Sequence, residues 1–147
     1  VDENVLLGST AAKPMLLPAQ LIFPGISGLQ QTAQTGADEK GAIVFNPAAL
    51  FPGNTQITRT IVFRAVLECA VGGQTCSLEL YNITDGLTVV TVSTSATVPT
   101  EVVSATLTVP ANLPNSKKLY GLRMTRTGGT ATDLVSCKMA QLEVSYS

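Results

Sequence analysis

From Arg59 to Cys69 the chain alternates without a break: Ile61, Phe63, Ala65, Leu67 and Cys69 share one parity, and Thr60, Val62, Arg64, Val66 and Glu68 the other. A period of two sustained this long describes a strand with one buried face, and it excludes an amphipathic helix, whose apolar positions recur at three and four. The same texture continues downstream. Cys76 to Ile83 carries Leu78 and Leu80 in phase, Leu87 to Ser95 is built from Thr and Val, and Glu101 to Val109 places Val103, Ala105, Leu107 and Val109 on one face. Leu119 to Thr127 does so with Tyr120, Leu122 and Met124.

Turn residues punctuate these runs. Gly72-Gly73 predicts a hairpin that sets Cys69 opposite Cys76, and Asp85-Gly86 predicts a type I′ hairpin into Leu87. Pro110 and Pro114 mark one connection, and Thr127 to Asp133 forms another loop. The last stretch changes parity, from Val135, Cys137 and Met139 to Leu142, Val144 and Tyr146. A bulge near Ala140-Gln141 reconciles the halves, because one extra residue flips every later side chain.

The first 57 residues behave differently. Val1 to Pro24 is apolar but broken by Pro14, Pro18 and Pro24, each of which lacks a ladder donor, so it reads as an extended arm or edge strand. Pro24 to Gly41 reads as a long loop and Ala42 to Phe45 as a short strand. The expected organisation is residues 1–57 as an N-terminal arm and connecting loops with one or two short strands, followed by a core domain over 58–147. With 147 residues there is enough chain for one domain. The expected fold is all-β: an antiparallel β-sandwich, jelly-roll-like, of about eight strands with an extended N-terminal arm. An immunoglobulin-like sandwich is the runner-up, lacking its core Trp and widely spaced cysteine pair.

Composition narrows function mainly by exclusion. Nine Lys and Arg against ten Asp and Glu leave a net charge of -1, without the basic footprint of a nucleic-acid or membrane binder. The chain has no His, which removes His-based general bases, catalytic triads and nearly all zinc or haem sites. No acidic loop repeats, so neither a metal nor a cofactor is expected, and no apolar run reaches the length of a bilayer span. No signal peptide is legible, so the chain reads as mature from Val1.

The hairpin register makes Glu68 and Glu79 diagonal neighbours, the spacing of a glycosidase pair. It also sets Arg64 beside Glu79, so a cross-strand charge ladder accounts for them and no enzyme is expected. Cys69 and Cys76 permit a bridge. The alternative is that they and Cys137 are three buried, reduced thiols. Lys117, Lys118, Arg123 and Arg126 form a modest basic cluster, read as a solvated face. Asn82-Ile83-Thr84 is a lone glycosylation sequon, and Tyr81 a single candidate platform for a sugar ring.

Two surface features carry physical content. Charged residues are only 13% of the chain, and Gly86 to Ser116 holds one charge, Glu101. Strand surfaces so bare either contact neighbours or risk edge association. The apolar arm cannot build a core alone; Val5, Leu6, Leu7, Met15, Leu16, Leu17, Leu21, Ile22 and Phe23 are its candidate assembly contacts.

The block from Arg59 to Tyr146 resembles the small jelly-roll virion proteins of tailed bacteriophages, particularly capsid decoration (cementing) proteins. The resemblance is carried by Tyr81-Asn82-Ile83-Thr84-Asp85-Gly86, by Ser104 to Pro110 and by Leu119 to Thr130. It implies a homotrimer on the capsid surface of a virion assembled in the bacterial host cytoplasm. Its partners would be itself and the major capsid protein or another virion protein, with the arm bridging capsomers. The rival is a secreted or cell-surface binding module, or a head-fibre or tail adhesin, using loops around Tyr81, Asn82, Tyr120 and Thr127 to Asp133 to hold a glycan or protein ligand.

Overall fold

The computed structural model describes residues 20–21, 29–47 and 59–146, and they form nine strands. These are β1 (Gln20–Leu21), β2 (Gln30–Thr32), β3 (Asp38–Phe45), β4 (Arg59–Cys69), β5 (Thr75–Asn82), β6 (Leu87–Thr94), β7 (Thr100–Val103), β8 (Lys118–Thr127) and β9 (Val135–Tyr146). One sheet runs β1-β9-β4-β7, with β2 also paired to β9, and the other runs β3-β8-β5-β6. All pairings are antiparallel.

Because β1 and β2 share one flank of β9, they act as a single interrupted strand, and the ladder pairs read first with last. β1/β2 pairs β9, β3 pairs β8, β4 pairs β7 and β5 pairs β6. That is one long antiparallel ribbon, rolled until β4 also meets β9 and β5 meets β8. The fold is therefore an eight-position jelly roll.

Alternation fills its interior. Ile61, Phe63, Ala65, Leu67 and Cys69 of β4 face Leu78, Leu80, Leu122, Met124 and Tyr120 from the opposite sheet in one buried cluster. Tyr120 stacks on Phe45 with ring centroids 4.6 Å apart. Leu107 bridges to Ile61 and is buried, while Leu113 closes the core from the loop before β8.

Several local expectations change. β4 and β5 do not form a hairpin: they belong to different sheets, so the Gly72-Gly73 segment crosses between layers, and Gly73 takes φ 81°. The β5–β6 hairpin exists, but Asn82 pairs with Leu87, making a four-residue loop, 83–86, closed by the Gly86 amide donating to the Asn82 carbonyl at 2.9 Å. Gly86 supplies the left-handed residue at φ 70°. β7 stops at Val103, and Val103 and Ala105 are exposed while Leu107 alone turns fully in. The β9 bulge lies earlier than expected: Val66 faces Met139 and Leu67 faces Cys137, leaving Lys138 as the extra residue. Ala140, Leu142 and Val144 then take over the buried parity from Val135 and Cys137. Upstream, β2 and the first half of β3 occupy the expected loop over Pro24 to Gly41, so residues before 58 supply strands to both sheets.

Candidate assembly surface

A sandwich has four sheet edges, and here they are guarded unequally. β1 and β2 span two and three residues and β7 four, too short to template another strand. β3 is longer, but Asp38, Glu39 and Lys40 stand on it, and a bulge at Lys40 breaks its ladder. β6 is different. It has eight residues, none charged, and its single irregularity sits at Val89, leaving the ladder from Val90 to Thr94 regular.

β6 lies against β7, and together they make one side of the molecule. Leu87 and Val98 are each 62% exposed there and Val103 44%. Beside the start of β6 a groove of about 250 Å³ is lined by Leu87, Thr88, Val89, Pro110, Ala111 and Pro114, together with Asn82 and Asn112. Its volume is below the usual range of small-molecule sites, about 300–1,000 Å³, and suits side chains better than a cofactor. The loop forming its far wall is braced by Asn112, whose Oδ1 accepts from the Thr108 amide at 2.9 Å and from its hydroxyl at 3.1 Å.

The outer sheet faces contrast with this side. On the first sheet Arg64 of β4 reaches Glu143 of β9 at 2.8 Å and Glu101 of β7 at 2.6 Å. On the second, Arg123 of β8 sits between Glu39 of β3 at 3.5 Å and Glu79 of β5 at 3.8 Å. Each face thus carries a guanidinium between two carboxylates from neighbouring strands, the cross-strand arrangement that stabilises sheets. The ladder expected between Arg64 and Glu79 does not form: the two residues stand on different sheets, and each pairs within its own.

Glu68 and Glu79 are not neighbours: Glu68 stands on the first sheet near Lys138, at 3.8 Å, and Glu79 on the second, where Thr88 also donates to it. The register that joined them required the β4–β5 hairpin. The cysteine geometry fails for the same reason. Cys69 and Cys76 end and begin strands of opposite sheets, and they and Cys137 are buried free thiols. Their Sγ atoms point to carbonyls of Thr94, Ser136 and Met139. Burial pushes Cys76 up to about 12 and Cys137 to about 11, and raises Cys69. Such thiols are poor nucleophiles at neutral pH.

The basic cluster also dissolves. Lys118 pairs with Asp85 at 2.8 Å, and Arg126 is 5% exposed, donating to the carbonyls of Ala33 and Gly128. Sequence reasoning missed that role because Arg at an inward position looks like a solvated end of the strand. Among the loop residues of the binding-module alternative, Tyr81 already has the Arg123 guanidinium 3.3 Å from its ring centroid. Asn82 is buried, its amide donating to Asp85 at 2.7 Å, which leaves the sequon nitrogen engaged. Tyr120 is wholly buried, and burial raises its phenol to about 12. Thr127 to Thr132 are exposed, and Asp133 is half-buried.

Of the arm contacts, Leu21 lies in β1, opposite Glu143. Val5, Leu6, Leu7, Met15, Leu16, Leu17, Ile22 and Phe23 lie outside the described residues.

No protein-family model matches the chain, and no curated protein matches it. Solved structures do. The VP2 subviral particle of infectious bursal disease virus superposes with a TM-score of 0.52 at 16% identity, covering 87% of this chain and 32% of that one. T=1 particles derived from infectious bursal virus give a TM-score of 0.51 at 14% identity, covering 91% and 33%. The chain spans about a third of the length of those proteins. At such identity the likeness is one of fold. A carbohydrate-binding module, CBM36, solved with calcium and xylotriose, covers 82% of this chain at a TM-score of 0.38, too loose an overlap to carry an argument.

Proposed function

We propose that this chain is a non-enzymatic structural subunit of a virus particle, and more narrowly a capsid decoration protein of a tailed bacteriophage. In this reading homotrimers sit on the virion surface and bridge copies of the major capsid protein, assembling in the bacterial host cytoplasm. The observation that carries it is the inequality of the edges among the described residues: charges, bulges or brevity blunt three of them, and none of these guards β6, which has the exposed Leu87, Val98 and Val103 beside it. A protein acting alone would gain solubility from a single Lys on that edge. A subunit covered by neighbours needs none.

The jelly roll shared with the particle-forming VP2 fits a building block and is not specific to one. The secreted binding-module alternative loses support from Tyr81, Asn82 and Tyr120, each engaged inside the sandwich or stacked on it. The deciding experiment is native mass spectrometry of the purified chain, followed by co-sedimentation with phage heads that lack their decoration protein. A trimer that binds heads and raises their resistance to heat supports the reading. A monomer that ignores heads and binds a glycan array overturns it.

A further inference from the structure

We infer that the side chains of Lys118 and Asn82 join in an amide bond, formed by the folded chain itself with loss of ammonia, and that Asp85 carries the protons. The link lies within one chain and stands independently of the assembly reading above.

Three observations carry it. First, Asp85 holds both partners at once. Its Oδ1 accepts from the Lys118 ammonium at 2.8 Å and its Oδ2 from the Asn82 side-chain amide at 2.7 Å. The attacking nitrogen and the leaving nitrogen thus sit on the two oxygens of one carboxylate. Second, the Asn82 side-chain carbonyl is already polarised. Its Oδ1 accepts from the Asp85 backbone amide at 3.0 Å, a donor aimed at the oxygen that gains negative charge when an amine adds to Cγ. Third, the strands fix the approach. Asn82 of β5 is opposite Tyr120 of β8, so Lys118 stands two residues along on the same face, a diagonal of about 7–8 Å that a long side chain spans. The Ile83 amide donates to the Leu119 carbonyl at 2.8 Å and the Leu119 amide to the Thr84 hydroxyl at 2.8 Å, which ties the loop to β8.

The setting favours the amine over water. Asn82 is 2% exposed, and Tyr120 and Phe45, the cross-strand partners of Asn82 and Lys118, stack on each other within the apolar core. An amine held against a carboxamide in this way gains the advantage of an intramolecular reactant. Asp85 first takes a proton from the Lys118 ammonium, and the Nζ lone pair then adds to Asn82 Cγ, sending the carbonyl electron pair onto Oδ1. Asp85 gives its proton to Nδ2 and takes one from Nζ. The Oδ1 electron pair returns as the Cγ–Nδ2 bond breaks, and the departing ammonia takes the proton from Asp85, which is again a carboxylate. One ammonium and one carboxamide become one secondary amide and one ammonium ion. Because the Lys118–Asp85 pair rests as ions, the first transfer is uphill and the link forms slowly after folding. Asn82 also lines the groove beside Leu87, which gives the ammonia a way out.

The test uses the full chain, aged in the folded state and then denatured for intact mass. The mass should fall by one ammonia. Digestion after glutamate releases residues 80–101 and 102–143 as separate fragments unless Asn82 and Lys118 are joined, so the aged chain should yield the two as one branched species. A chain aged in urea should yield them apart. Lys118→Arg keeps the charge beside Asp85 but offers no amine, and should fold without linking. Closing the loop from 82 to 118 restrains the unfolded chain, so the linked wild type should melt about 10 °C above that variant. Asp85→Asn should slow linking at least tenfold; if it misfolds, the wild-type and Lys118→Arg digests decide. Separate fragments from the aged native wild type overturn the inference, as does linking in Lys118→Arg or at the wild-type rate in folded Asp85→Asn.

Discussion

Single side chains in this fold are placed by which way a strand turns them, and three thiols show the consequence. Cys69, Cys76 and Cys137 are each 0% exposed, and burial raises all three above the ordinary thiol value. None should react with a thiol reagent at pH 8 in the native protein and all three should react in denaturant; one thiol or two titrating natively would contradict the buried cluster. Glycine positions differ as sharply. Gly128 has φ 76°, and a Cβ there would run into the Gly73 carbonyl oxygen, whereas Gly72 has open space and no positive φ. Gly128→Ala should cost about 2 kcal/mol or more in urea unfolding, and Gly72→Ala within about 0.5 kcal/mol.

Three aspartates set the acid limit. The Lys118 ammonium, aided by the Asn82 amide, holds Asp85 below the usual carboxylate range; Lys40 and Thr32 do so for Asp38, and the Thr130 amide and hydroxyl for Asp133. A carboxyl with a depressed folded value contributes stability above its unfolded value, near pH 4, and loses it as pH falls through the folded value. The chain has no His to titrate near neutrality. Melting temperature should therefore stay level from about pH 5 to 8 and decline below about pH 4; a slope near pH 6.5 would contradict this account.

At the scale of elements, the bulge in β9 decides which face of the last strand is buried. Lys138 is exposed, and its contact with Glu68 at 3.8 Å is a surface pair of little value. Lys138→Ala should therefore change stability by less than about 0.5 kcal/mol. Deleting Lys138 should prevent folding, because Ala140, Leu142 and Val144 would turn to solvent. Circular dichroism of the two variants separates the extra residue from its side chain.

The parity change in β9 was legible because side-chain period is local, and so were the inward faces of β4, β5 and β8. Pairing was not. Gly72-Gly73 looks the same whether it closes a hairpin or crosses between sheets, and every expectation built on that hairpin fell with it: the Cys69–Cys76 bridge, the Glu68–Glu79 pair and the Arg64–Glu79 contact. The bare β6–β7 side was half legible. Absence of charge over Gly86 to Ser116 is a sequence fact, but that β6 is an edge is a property of the order β3-β8-β5-β6.

For the whole molecule, the first-with-last pairing makes stability and folding speed depend on distant partners. Gln20 pairs with Val144 and Gln30 with Cys137, so the outermost ladder joins segments near opposite ends of the sequence. Closing such loops costs entropy before any contact offsets it, and all-β chains of this kind fold on a timescale of milliseconds to seconds. Losses at the two ends are unequal. A chain of residues 20–147 keeps every described pairing, whereas removing residues 135–147 takes away β9, which holds β1, β2 and β4 together. The first truncation should refold from urea, with far-UV circular dichroism recovering over about a second and a melting temperature within a few degrees of the full chain at equal oligomeric state. The second should remain unfolded at every urea concentration. Were residues 20–147 unable to fold, the N-terminal segment would belong to the core of its own sandwich, and its role would be intramolecular.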